Sequence, residues 1–156
     1  MSDNMPVELA EFFRNEYLPL VAFAQRIGLN LAEAEDAVQE AFGDLTIAWH
    51  DVKKPAAWMR LVVRRKAGRT FRSRWRFQAL DGFEFCGLAT ASEPDEPGRV
   101  LHLLRRLSYR QMVVLAWSVD GYSPAEIAEI EGMTGTDVRK TLRQARARLA
   151  RFVEEN

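Results

Sequence analysis

Residues 123–143 read SPAEIAEIEGMTGTDVRKTLR, and the order of residue types in this stretch decides the fold of the second half of the chain. Ser123 stands at an N-cap, Pro124 at the first helical position and Glu126 at the third, a complete helix start. The helix is expected to end near Glu131, because Gly132 can take the left-handed backbone angle that a side chain opposes. Gly132-Met133-Thr134 makes a turn, and a second helix is predicted from about Thr136 to Val153. Ile127 and Ala128 point inward, Ala128 being small enough for a close crossing, while Val138 and Leu142 anchor the second helix. This is the spacing of a helix-turn-helix, whose second helix sends its first residues to base edges in the major groove. The outer face then offers Thr136, Asp137, Arg139, Lys140 and Arg143. Arg139, Lys140 and Arg143 have the chemistry for guanine or phosphate. Arg146 and Arg148, further along, suit backbone or solvent contacts. Glu131 departs from the pattern, since such motifs usually hold an apolar residue just before the glycine. The alternative is an ordinary helical hairpin with a glycine turn.

Upstream the pattern is helical almost throughout. Val7, Phe12, Phe13, Tyr17, Leu20, Val21 and Ala24 predict a first helix that runs to Gly28. Asn30 with Glu33 forms a capping box for a second helix, whose inner face is Ala34, Val38, Ala41, Phe42 and Leu45. Its outer face carries Glu35, Asp36, Gln39, Glu40 and Asp44. Pro55 opens a third helix towards Phe77, expected to bury Trp58, Leu61 and Val62. Residues 78–98 hold three Gly, two Pro and five acids and read as a flexible linker. Val100, Leu103, Leu104 and Leu107 give a short helix. Ser108 caps the next, with Met112, Val113, Leu115, Ala116 and Val119 on it, and Gly121 ends it. The fold expected is all-α, with two small helical domains at residues 1–77 and 99–156.

The 22 basic and 22 acidic residues cancel, but they are sorted along the chain. Residues 1–51 hold ten acids and two basic residues; residues 52–80 hold ten basic residues and no acid. Residues 81–137 hold ten acids against four basic residues; residues 138–153 hold six basic residues and no acid. Two separate basic blocks in a neutral chain imply two contacts on one polyanion. Solvated helix faces are the plainer alternative, although such faces usually mix signs for pairing one turn apart.

Other function classes find no support. An apolar content of 47% suits a globular protein. No run approaches the roughly 18 apolar residues of a membrane span. The opening MSDNMPVELAEFF lacks a basic stretch followed by an apolar one, and Cys86 is the only cysteine. A cytoplasmic protein without disulfides or a membrane anchor is therefore expected. His50 and His102 stand far apart without a second ligand at metal spacing, and no glycine-rich phosphate loop or GxSxG is present. No metal, cofactor or enzymatic activity is expected.

Three further stretches give a family resemblance. AEAEDAVQEAFGDLTIAW at residues 32–49 resembles region 2.2 of the sigma-70 family, and KPAAWMRLVVRR at residues 54–65 resembles regions 2.3 and 2.4. The tail of residues 106–149 is similar to region 4. Order, spacing and length resemble the extracytoplasmic-function group, which keeps only domains 2 and 4. The resemblance implies a sigma factor that binds core RNA polymerase and reads the −10 and −35 promoter elements. It implies that Glu35, Asp36, Gln39, Glu40 and Phe42 lie at or near the clamp coiled coil of the largest polymerase subunit, with the flap as a second polymerase contact. It implies −10 contacts from Lys53, Lys54, Trp58, Arg60, Arg64, Arg65, Arg69 and Arg72, and −35 contacts from Thr136, Asp137, Arg139, Lys140, Arg143 and Arg146. Residues 50–58 would capture an unstacked base; Trp58 suits that role or the core. Phe71 and Trp75 suit base stacking or packing on the first helix. Where the family usually has Arg-Asn and then Asp, this chain has Arg64-Arg65 and Arg69. An anti-sigma protein is a further partner that the family implies. A stand-alone helix-turn-helix regulator, or a sigma-like interaction protein without promoter use, is the alternative.

Overall fold

The computed structural model describes residues 5–81 and 96–155, with side chains up to residue 70 and from residue 98 onward. Those residues form seven α-helices and one 3-10 turn, with no strand among them, so the all-α expectation holds. The chain divides into two compact units, one of residues 1–25 and 29–70 and one of residues 26–28 and 71–156.

The first unit is built on α1 (Val7–Arg26), α2 (Leu31–Ala48), a 3-10 turn (Trp49–Asp51) and the start of α3 (Pro55–Asp81). The capping box that starts α2 is present. The Asn30 side chain accepts from the Glu33 amide at 2.8 Å, and Glu33 accepts from the Asn30 amide at 3.0 Å. Ala34, Val38, Ala41, Phe42 and Leu45 are all buried, as the periodicity of α2 predicts. On α1 the buried face is Leu9, Leu20, Val21, Phe23 and Ala24, whereas Val7 is exposed and Phe13 lies at the rim. Pro19 inside α1 removes one amide donor. The loss falls on a solvent-facing side, where Asn15 and Pro19 are exposed.

α3 corrects the expected core. Met59, Val63 and Ala67 are buried at a four-residue spacing, while Trp58, Leu61 and Val62 are only partly covered. Apolar residues occupy most positions from 56 to 63, so the stripe one position over looks equally good in sequence. Ala67 followed by Gly68 decides it, because small residues let the helix approach its neighbours closely. The helix also runs four residues beyond Phe77, to Asp81.

The second unit contains α4 (Glu96–Leu104), α5 (Tyr109–Val119), α6 (Pro124–Glu131) and α7 (Gly135–Glu155). Met112 to Trp117 are six consecutive buried residues, so α5 is the central helix of this unit. α6 and α7 pack on it and on each other. α7 contributes Val138, Thr141, Leu142 and Ala145, an i, i+3, i+4, i+7 stripe. α4 already starts at Glu96, inside the stretch expected as linker; residues 82–95 of that stretch lie outside the described residues.

Candidate nucleic-acid and polymerase interfaces

The helix-turn-helix is assembled from local hydrogen bonds that its sequence specifies. The Ser123 hydroxyl accepts from the Glu126 amide at 3.2 Å, and Glu126 accepts from the Ser123 amide at 3.0 Å. Gly132 closes α6 at φ 67° and ψ 34°, its amide donating to the Ala128 carbonyl. That backbone angle is strained for any residue with a Cβ. The Met133 amide also donates to the Ala128 carbonyl, at 2.9 Å. Thr134 starts α7, its hydroxyl accepting from the Asp137 amide at 3.1 Å.

With Val138 and Leu142 inward, Thr136, Asp137, Arg139, Lys140, Arg143 and Arg146 are all exposed. Arg139 Nη2 donates to Thr136 Oγ1 at 3.5 Å, which holds the guanidinium over the first turn of α7. Arg146 Nη2 reaches back to Ser118 Oγ at 3.4 Å, about three turns from that end. Arg110 of α5 opens onto the same depression as Lys140 and Gln144, about 240 Å³ in volume. Sequence reasoning did not single out Arg110, because only the fold sets α5 beside α7.

The departure at Glu131 has a structural reason. Trp117 is fully buried, and its indole Nε1–H donates to Glu131 Oε2 at 3.0 Å. The Tyr122 ring stands edge-on to the indole, at 4.9 Å and 84°. A buried indole N–H without an acceptor is costly. An acid at the end of α6 supplies one where the motif would otherwise present only carbon. At the far end of α7 the Phe152 ring lies 4.7 Å from the Arg106 guanidinium and 5.8 Å from that of Arg148. Arg148 is thereby held at the ring.

In the first unit the outer face of α2 presents Asp36, Gln39, Glu40 and Asp44 to solvent, with Glu35 partly covered. Phe42 does not join them. It is 6% exposed, and its ring packs on Phe13 at 4.5 Å and Phe12 at 5.9 Å. It therefore lies beneath that face rather than on it. Glu40 Oε2 is 2.9 Å from Lys66 Nζ on α3, and Asp44 Oδ2 is 3.8 Å from the same ammonium. The hydrogen bond from Lys66 and then its charge hold the Glu40 carboxyl below its usual range; slight burial opposes them and Arg69 assists. Leu29, Asp36, Ala37, Glu40, Lys66 and Arg69 share a groove of about 440 Å³.

The basic residues of α3 and of the turn before it divide. Lys53, Lys54, Arg65 and Arg69 are exposed, and Trp58 and Arg64 are partly covered. Arg60 is a correction: it is 6% exposed and turned into the unit. Its Nη1 donates to the Ala56 carbonyl at 3.0 Å and lies 3.6 Å from Glu16 Oε2. Its guanidinium stands 5.8 Å from the centre of the Phe23 ring. A cation with these neighbours is a paired core residue. The side chains of Phe71, Arg72 and Trp75 lie outside the described residues.

Among the described residues no helix is long and apolar enough to cross a membrane. No group of His, Cys, Asp and Glu among them is placed to hold a metal. Residues 12–77 match the family model of sigma-70 region 2, and residues 98–149 match that of sigma-70 region 4. No curated protein matches the chain. The fold is similar to that of the sigma factor RpoE of Bartonella quintana, solved in complex with the anti-sigma factor NepR. The TM-score is 0.73 at 23% identity, covering 92% of this chain and 97% of that one. An all-helical chain that carries both regions in this order belongs to the sigma-70 family: it is a sigma factor of the extracytoplasmic-function type, which directs promoter-specific transcription initiation.

Proposed function

We propose a division of labour between the faces described above. The acidic face of α2, with Glu35, Asp36, Gln39 and Glu40, docks on the clamp coiled coil of the largest polymerase subunit, and Phe42 supports it from below. Lys53, Lys54, Arg64, Arg65 and Arg69 hold the −10 strand, with Trp58 as a wall for an extruded base. Thr136, Asp137, Arg139, Lys140 and Arg143 read the −35 element, and Arg146 takes a phosphate. Residues 1–77 and 99–156 are the two working domains, and the second also meets the polymerase flap. The protein acts in the cytoplasm, performs no reaction of its own and uses no cofactor. An anti-sigma protein covering these faces would hold it inactive, as a partner of the kind NepR is for RpoE.

The observation that carries this reading is the separation of charge. The exposed anions of α2 and the exposed cations of α7 lie in different units, each on the outer side of a helix whose inner side is core. Neither domain has to hold DNA tightly alone, because polymerase presents both at high effective concentration. The test is charge reversal, Asp36→Lys with Glu40→Lys, followed by core-polymerase binding. Binding should fall at least tenfold while helix content stays unchanged. Undiminished binding removes α2 from the interface.

A further inference from the structure

Lys66 on α3 is held by two carboxylates of α2. Its Nζ lies 2.9 Å from Glu40 Oε2 and 3.8 Å from Asp44 Oδ2. Both acids come from α2, the helix assigned to polymerase, whereas Lys66 belongs to the helix assigned to −10 DNA. Lys66 precedes Arg69 by three residues, so the two share one flank of α3 and line the same groove. Exposure is unequal: the side chains of Glu40 and Asp44 are 68% and 57% exposed, that of Lys66 only 17%. A cationic partner arriving from solvent therefore meets the carboxylates first. Once that partner supplies the charge they need, the Lys66 ammonium, with its three donors and four-carbon stem, is free to swing to a phosphate.

We propose that Lys66 is a DNA-phosphate ligand held in reserve: in the free chain Glu40 and Asp44 occupy it, and docking of a cationic polymerase surface on those acids releases it to DNA. The proposal rests on the docking face assigned above. It makes polymerase binding and DNA binding reinforce each other through one side chain, and the coupling is reciprocal. Its size is that of a solvent-facing ion pair, an effect of about two- to five-fold on affinity.

The test has a DNA arm and a polymerase arm. In the first, the full chain without polymerase binds a labelled single-stranded oligonucleotide over a range of salt concentrations. Glu40→Gln/Asp44→Asn should steepen the slope of log K against log salt by about 0.7, one further phosphate. The control Glu8→Gln/Glu11→Gln changes the net charge equally, on exposed positions of α1, and should leave the slope alone. Adding Lys66→Met to Glu40→Gln/Asp44→Asn should return the slope to its starting value. Lys66→Gln replaces Lys66→Met if the latter does not fold. The proposal fails if Glu40→Gln/Asp44→Asn behaves like the control. It also fails if Lys66→Met flattens the slope equally in the unaltered chain, because the ammonium would then already be on DNA. In the second arm, Glu40→Gln/Asp44→Asn should weaken core-polymerase binding measured without DNA. Unchanged binding there overturns the docking face alone, whereas an unchanged DNA slope overturns the role of Lys66.

Discussion

Replacing Glu131 tests how the helix-turn-helix is fastened to its domain. Glu131→Ala leaves the indole N–H of Trp117 without its acceptor at 3.0 Å, inside a side chain that is fully buried. A buried donor left unpaired costs about 1–3 kcal/mol. For a domain of this size each kcal/mol is worth about 4–8 °C in melting temperature. Glu131→Ala should therefore lower the melting temperature of the second unit by roughly 8–16 °C, taking about 2 kcal/mol as the central value. Glu131→Gln keeps an oxygen in nearly the same place and should cost less than about 1 kcal/mol. Glu131→Leu restores the apolar residue usual in such motifs yet leaves the indole orphaned, so it should resemble Glu131→Ala. The assay is urea unfolding, with the indole N–H resonance of Trp117 reporting the second unit. If alanine, leucine and glutamine are equal within about 0.5 kcal/mol, the orphaned donor is not what Glu131 prevents, and the reasoning is wrong.

Arg139→Ala and Arg143→Ala should each cost about 1–3 kcal/mol on the −35 element if the guanidinium is bidentate to guanine. Equal loss on scrambled duplex would make each a phosphate contact. Arg60→Ala should destabilise the first unit by about 1–3 kcal/mol and leave the salt slope of DNA binding unchanged; a flatter slope would put Arg60 on DNA after all. Glu40 has a depressed folded pKa, so its contribution to stability is complete above the ordinary value of 4.5 and is lost as pH falls below it. Acid titration of Lys66→Met should accordingly show a shallower loss of stability in that window, measured by urea midpoints, and an identical profile would contradict the assigned cause.

Helix starts were the most legible feature of the sequence. Asn30 with Glu33 and Ser123 with Glu126 are local patterns, and each forms the reciprocal hydrogen bonds its spacing predicts. Gly132 was legible for the same reason, since its backbone angle depends on the residue itself. What escaped depends on distant neighbours. Arg60 looks like its basic companions until Glu16 and Phe23 of α1 are set beside it. Lys66 could not be matched with Glu40 and Asp44 until α2 and α3 were packed. Phe23 and Leu9 lie off the face chosen for α1, where aromatic residues at the rim drew the pattern outward. Glu131 was visible as an exception, but its partner lies on another helix, 14 residues earlier. Phe42 was read as inner by periodicity, and it is buried.

The most direct test of the account is transcription from a library of genomic fragments by core RNA polymerase, with and without the purified chain, sequencing RNA 5′ ends. The expected result is a discrete set of start sites, absent with core alone, that share two upstream elements. Asp36→Lys/Glu40→Lys should abolish all of them, and Arg139→Ala should selectively weaken those with the best −35 match. Start sites identical with and without the chain would contradict the claim that its two helical domains direct initiation.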